Sequence, residues 1–211
     1  MLTIWGGATS RTIRAHWMAH ELGLDYTPKL IGSRSGATQT PEFRALNAKE
    51  KIPVLVDDDL VLSESAAIVT YLGDTYGRDS GLVPGFGTRD RARYNEWLSF
   101  IQMELDAHTL YVIRKHRDLA HLYGEAPAAI QHAIDGFNKQ INLAQTQLLK
   151  TPYLLGEEFT AADLMLMSVL DWAQAYGIEL NPMFAPYRDR IHQRPAFISA
   201  AKLNFSITPT D

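Results

Sequence analysis

Apolar and polar positions change their period several times within the first 77 residues. Residues 2–5 form a short apolar run that is typical of a strand. Residues 11–22 repeat apolar side chains at helical spacing until Gly23 ends the helix. A strand, a helix, two strands and a helix are then predicted over residues 25–31, 41–46, 53–56, 60–62 and 65–76. This alternation of strands and helices predicts a layered α/β domain.

The pattern becomes helical throughout after a stretch at residues 77–88 that is rich in glycine and proline. Helical periods then run over residues 89–122, 128–149, 158–176 and 187–204. We therefore predict an α/β domain over residues 1–77, a linker over 78–88 and an all-helical domain over 89–211.

One helix start in the second half has a sharp signature. Thr160 is placed as the N-cap, and Asp163 stands where its carboxylate can reach back to the Thr160 amide. Phe159 and Leu164 occupy the positions of a hydrophobic staple. The helix that follows is apolar nearly all round, so we expect it to form the core of the second domain.

Composition and charge narrow the classes of function. Apolar residues make up 46% and charged residues 21%, as in ordinary soluble domains, and the net charge of −4 does not favour nucleic acid as a partner. The chain has no cysteine, which excludes disulfides, thiolate metal sites and thiol nucleophiles. The most apolar run, residues 161–175, contains two aspartates and is too short to span a bilayer. Since the first residues also lack the features of a signal peptide, we expect a cytoplasmic protein with no membrane partner.

A candidate ligand site lies where a predicted strand runs into the helix at residues 65–76. The first turn of this helix offers the carboxylate of Glu64, the hydroxyl of Ser65 and free backbone amides. Such a turn can bind the carboxylate of an α-amino acid while Glu64 binds its ammonium group. A plain helix cap has the same pattern, and this segment by itself favours that simpler interpretation.

A second candidate lies at Lys51-Ile52-Pro53, because a proline that opens a buried strand cannot donate to the sheet. A cis bond before Pro53 would leave the backbone of Ile52 free to pair with an extended peptide. A trans proline that merely begins the strand is the alternative, and it is the commoner case.

A third candidate is the loop that joins the first strand to the first helix, residues 6–11. Thr9 and Ser10 place two hydroxyls at the helix N-terminus, where a hydrogen bond and the helix dipole would stabilise a thiolate. Either residue could instead only cap the helix. No Gly-x-Ser-x-Gly motif is present, so a serine nucleophile of that type is not indicated.

The three segments in this order resemble the glutathione transferase superfamily. The resemblance rests on Ser10 with Arg14, on residues 51–55 and on residues 63–68, and the helix cap at residues 160–163 also matches. It covers essentially the whole chain. It implies a thioredoxin-like N-terminal domain, an all-α helical-bundle C-terminal domain and a homodimer.

The resemblance also implies that glutathione is the co-substrate and lies on the first domain. Glu64 and Ser65 would hold its γ-glutamyl end, Ile52 before a cis Pro53 would pair with the cysteinyl backbone, and Lys51 with Gln39 would face the glycyl carboxylate. Ser10 is the implied partner of the thiolate, with Thr9 as the alternative that spacing does not separate from it.

Residues 96–101 with Glu104 and Leu105 resemble bacterial beta-class members. The position of the beta-class cysteine falls on Thr9, so a serine- or threonine-type enzyme is implied. His16 and His20 have the spacing of two metal ligands, but no third ligand suggests itself and no metal is expected.

The implied activity is detoxification by conjugation of the glutathione thiolate to hydrophobic electrophiles, with peroxide reduction as a further activity. A non-catalytic glutathione-binding or regulatory protein, and a glutathione-dependent isomerase, are the alternatives.

Overall fold

A four-stranded mixed sheet organises the N-terminal part of the protein, whose computed structural model describes residues 1–208. The strands are β1 (Leu2–Trp5), β2 (Thr27–Lys29), β3 (Val54–Asp57) and β4 (Leu60–Ser63). Their order in the sheet is β2-β1-β3-β4, with β1 parallel to β2 and antiparallel to β3. The register places Ile4 opposite Leu55, and both side chains are fully buried.

Three α-helices accompany this sheet, namely α1 (Thr12–Glu21), α2 (Pro41–Leu46) and α3 (Ser65–Tyr76). A 3₁₀ turn precedes α2 at Ala37–Gln39. Helices α1 and α3 pack on each other, and a Cβ at Gly73 of α3 would lie 2.3 Å from Val83 Cγ2. Close packing at this point therefore requires glycine inside the helix.

Helices dominate the rest of the described chain, from residue 84 to residue 208. Its helices are α4 (Arg89–Phe100), α5 (Tyr111–His116), α6 (Ala120–Tyr123), α7 (Pro127–Gln140), α8 (Asn142–Leu148), α9 (Ala161–Ala175), α10 (Ala185–His192) and α11 (Pro195–Asn204). The predicted fold class, a thioredoxin-like α/β domain followed by an all-α domain, is confirmed.

The long helix predicted over residues 89–122 is divided in the structure. A π-helical segment, Ile101–Leu110, joins α4 to α5, and Arg117 ends α5 before α6 begins. Within the π segment the hydroxyl of Thr109 donates to the carbonyl of Leu105, one turn earlier in the chain.

The described chain forms two compact units. One comprises Met1–Val83 together with the segment from Arg190 onward, and the other comprises Pro84–Asp189. Helix α11 belongs to the first unit because it packs along α1, a placement that the sequence patterns did not indicate. The domain boundaries stay a prediction, and residues 209–211 of the predicted second domain lie outside the described residues.

The start of α9 shows the predicted capping box. Thr160 caps the helix, and the Asp163 carboxylate accepts from the Thr160 amide at 2.9 Å. Its Oδ1 also accepts from the Leu154 amide at 2.9 Å and the Tyr187 hydroxyl at 3.0 Å, while Oδ2 accepts from the Thr160 hydroxyl at 2.9 Å. Burial raises the pKa of Asp163 to about 6, and these donors oppose the rise.

We predict that Asp163→Asn lowers the free energy of unfolding by at least about 1–3 kcal/mol at neutral pH. Each carboxylate oxygen accepts from two donors, and one donor of each pair is a backbone amide, which cannot act as an acceptor. The amide nitrogen of asparagine would therefore leave a buried donor without an acceptor. Urea denaturation measures the effect, and exposed Glu158→Gln is the matched control. Equal stability of the two variants would show that the capping box does not stabilise the second unit.

Candidate functional site

The loop between β1 and α1 passes close to the start of β3. A Cβ at Gly6 would lie 2.6 Å from Thr12 Cγ2 and 2.8 Å from Ile52 Cβ, and the φ angle of Gly6 is +121°. Only glycine tolerates both this positive φ angle and these short distances, so Gly6 allows the loop to approach Ile52 closely. Two of the three candidate segments thus meet in one place.

The two hydroxyls of this loop have different surroundings. Thr9 Oγ1 accepts from the amide of Thr12 at 3.0 Å and lies 2.9 Å from the Thr12 hydroxyl. The Ser10 side chain is half-buried, and within residues 1–208 its hydroxyl makes no hydrogen bond. Thr9 is therefore bound to the first turn of α1, whereas the Ser10 hydroxyl has no such bond among residues 1–208.

The start of α3 is joined to α1 by a buried hydrogen bond. Arg14, which is fully buried on α1, donates from Nη1 to Ser65 Oγ at 3.1 Å. Glu64 precedes the helix with φ +73° and ψ +114°, and its side chain is 65% exposed. A non-glycine residue in such a conformation costs on the order of 1–3 kcal/mol, and such strain clusters where ligands bind.

Glu64 has a basic partner that the sequence analysis missed. Lys49 Nζ donates to Glu64 Oε1 at 2.5 Å and to Ser63 Oγ at 2.9 Å. Asn47 shapes the segment, because its side chain accepts from the Lys49 amide and donates to the carbonyl of Lys51. Spacing alone could not single out Lys49, since the pairing depends on how this segment folds back toward α3.

The bond between Ile52 and Pro53 is cis, as predicted. Ile52 is buried in a cluster with Phe43 and Val54. Within the described residues, neither the amide nor the carbonyl of Ile52 makes a backbone hydrogen bond. Its backbone can therefore pair with an extended ligand.

The remaining predicted binding residues lie on the surface. Lys51 and Gln39 are exposed, and Gln39 ends the 3₁₀ turn before α2. Within residues 1–208 the side chain of Gln39 makes no hydrogen bond, so the structure does not join it to Glu64 and Ser65.

The two histidines of α1 both contact the ring of Tyr26. His16 is buried between the Tyr26 hydroxyl and the carbonyl of Gly6, each 2.9 Å from a ring nitrogen. Since a carbonyl only accepts, Nε2 carries the proton, and burial lowers the pKa of His16. In the described part of the chain no group of three or more His, Asp or Glu side chains could hold a metal ion.

None of the helices described for this chain has the length and apolar character needed to cross a membrane.

Comparison with known proteins assigns these features to a family. Residues 1–74 match the family model described as Glutathione S-transferase, N-terminal domain, and residues 127–197 match the C-terminal domain. The chain is 32% identical to glutathione S-transferase D7 of Drosophila melanogaster over 78% of this chain and 70% of the relative. It is 31% identical to glutathione S-transferase 2 of Anopheles gambiae, over 84% and 81%.

The chain belongs to the glutathione S-transferase family. The predicted resemblance is confirmed, and the N-terminal match spans every predicted binding residue.

Solved structures agree with this assignment. A theta-class glutathione S-transferase of Xanthomonas axonopodis pv. citri with glutathione bound is 27% identical, with a TM-score of 0.79 over 99% of both chains. The glutathione transferase URE2P6 of Phanerochaete chrysosporium has a TM-score of 0.87 over 98% of this chain and 97% of that one. At 21% identity the second likeness shows the fold alone.

Proposed function

We propose that this glutathione transferase binds glutathione on its first unit and conjugates the thiolate to hydrophobic electrophiles. Family membership supports the reaction class, and the Xanthomonas relative has glutathione bound. The observation that carries the proposal for this chain is the half-buried Ser10 just before α1, whose hydroxyl makes no hydrogen bond within residues 1–208.

In this proposal the ligand follows the edge formed by β3 and the start of α3. Ser65 and the first amides of α3 bind the γ-glutamyl carboxylate, and Glu64 binds the ammonium group. Ile52, before cis Pro53, pairs with the cysteinyl backbone. Lys51 and Gln39, both exposed, attract the glycyl carboxylate.

The ammonium of glutathione must compete with Lys49 for Glu64. Both groups are cations, and Lys49 already bonds Glu64 at 2.5 Å. The pair is exposed, and such pairs are worth at most about 1 kcal/mol, so the ligand can displace the lysine at small cost.

The protein has two tasks in the conjugation. The Ser10 hydroxyl donates to the thiolate, and the N-terminus of α1 adds a favourable field, so both lower the pKa of the bound thiol. Each unit of this shift corresponds to about 1.4 kcal/mol. The sulfur then forms a bond to the electrophilic carbon, and the leaving group departs with the electron pair of the broken bond.

Peroxide reduction is proposed as a second activity of the same thiolate. The sulfur attacks one oxygen of a hydroperoxide, the O–O bond breaks, and an alcohol leaves. The sulfenic acid that is formed on the sulfur then reacts with a second glutathione to give glutathione disulfide and water. We also propose the detoxifying role and the cytoplasmic location.

The assembly is proposed to be a homodimer, on the basis of the family. Light scattering is expected to give twice the 23.7 kDa mass of the chain. A monomer at every concentration tested would contradict this prediction.

The γ-glutamyl site is tested by Glu64→Gln and Ser65→Ala. We predict that each variant weakens glutathione binding by on the order of 1.5–3 kcal/mol, because each removes a charge-assisted bond. Calorimetry measures the affinity, and Thr75→Ala, an exposed hydroxyl at the far end of α3, is the control. If both variants bind as tightly as the parent protein, the ligand lies elsewhere.

The activating hydroxyl is tested by Ser10→Ala and Thr9→Ala. We predict that Ser10→Ala gives the larger rise in the pKa of bound glutathione and lowers kcat more than it raises KM, because its bond serves the thiolate. Thr9→Ala should mainly reduce stability, by about 1 kcal/mol, since it removes a bond to the first turn of α1. Ultraviolet titration of the thiolate in the complex measures the pKa.

A larger rise in the pKa of bound glutathione in Thr9→Ala than in Ser10→Ala would assign activation to Thr9. Tight glutathione binding without turnover of several electrophiles, and without a pKa change in either variant, would favour a non-catalytic binding protein instead.

A further inference from the structure

The last residue of α11 reaches the loop that carries Ser10. Asn204 is fully buried although its side chain is polar, so its amide needs partners inside the first unit. It lies outside both family matches, which end at residues 74 and 197. The partners that it finds are all in the loop or in the first turn of α1.

Three hydrogen bonds join Asn204 to this loop. Its Nδ2 donates to the carbonyl of Thr9 at 3.1 Å, and its Oδ1 accepts from the hydroxyl of Thr12 at 2.6 Å. Its backbone carbonyl accepts from the amide of Ala8 at 2.6 Å. The orientation of the side-chain amide follows from chemistry, because the Thr9 carbonyl can only accept.

The loop has an unusual conformation where Asn204 binds it. Ala8 has a φ of +57°, which costs a non-glycine residue free energy and persists only where the surroundings enforce it. A Cβ at the neighbouring Gly7 would lie 2.9 Å from Ile207 Cδ1 and 3.3 Å from the carbonyl of Asn204. The loop and the C-terminal segment therefore have complementary shapes.

Other contacts already hold α11 on α1. Arg194 forms two 2.7 Å hydrogen bonds with the carboxylate of Glu21, and the ring of Phe197 packs edge-on against Trp17. These contacts lie at the opposite end of α11 from Asn204 and do not involve the loop. Arg194 and Phe197 thus hold α11 against α1, whereas Asn204 contacts the loop after β1.

We propose that Asn204 is a positioning residue for thiol activation. It holds the backbone of Ala8 and Thr9 so that the next residue, Ser10, presents its hydroxyl to the glutathione sulfur. The inference rests on the proposed function and adds to it a requirement from the C-terminal segment. The hydroxyl of Thr12 completes the arrangement by linking Asn204 to Thr9.

The test compares Asn204→Leu, which has a similar shape and no polar group, with Phe197→Leu. Asn204→Leu should raise the pKa of bound glutathione by about one unit. It should lower kcat for an activated chloronitrobenzene on the order of tenfold to a hundredfold, because small misplacements of a reacting group have effects of that size. KM for glutathione should change little, since Glu64 and Ser65 lie on another helix.

Phe197→Leu weakens the packing of α11 on α1 without touching the loop, so it should lower Tm and leave the thiol pKa unchanged. A purely structural Asn204 would behave in the same way, with a lower Tm and an unaltered pKa, and that result would overturn the proposal. The proposed function is checked separately: if the parent protein binds glutathione and Ser10→Ala shifts the pKa, the function stands whatever Asn204→Leu shows.

If Asn204→Leu does not fold, Thr12 tests the link that joins Asn204 to Thr9. Thr12→Val removes the hydroxyl that bonds Asn204 Oδ1, whereas Thr12→Ser retains it. The proposal requires a raised thiol pKa in the valine variant and recovery toward the parent value in the serine variant. The same pKa in both variants would overturn it.

Discussion

Burial of polar side chains on α1 is the constraint on which the candidate site depends. Thr12, Arg14 and His16 are fully buried, and a buried polar group is costly unless it is hydrogen-bonded. Each finds its partner in a different part of the first unit: Arg14 at Ser65, His16 at the Gly6 carbonyl and Thr12 at Asn204. The helix therefore ties together the start of α3, the loop after β1 and the end of α11, and this loop carries Ser10, the proposed partner of the thiol.

This arrangement gives two adjacent hydroxyls different surroundings and, in the proposed function, different roles. The Thr9 hydroxyl is engaged at the first turn of α1, and its carbonyl accepts from Asn204. Ser10 is the next residue and has no such bond among the described residues. A rigid neighbour is an advantage for an activating group, because a hydrogen bond to a thiolate is most effective when its donor is already in place.

The proposed γ-glutamyl part of the site follows a different principle. Glu64 is strained and exposed, and its ion pair with Lys49 is screened by solvent. Ser65 beside it is buried and bonded to Arg14. A binding site can combine a fixed hydroxyl, here Ser65, with a carboxylate whose ion pair is easily broken, here Glu64, because the site must release its ligand after the reaction. The thiol site, in contrast, must keep its geometry throughout the reaction.

The sequence by itself determined the two kinds of fold, the cap of α9 and most of the proposed binding residues, because apolar period, helix caps and short motifs are local properties of the chain. It could not separate Thr9 from Ser10, since both have the spacing of an activating hydroxyl. Only the tertiary structure decided that Lys49 meets Glu64 and that Asn204 meets the loop after β1. Those pairings join residues 15 and 195 positions apart. The first forms when the segment before β3 folds back toward the start of α3, and the second forms when α11 packs on α1.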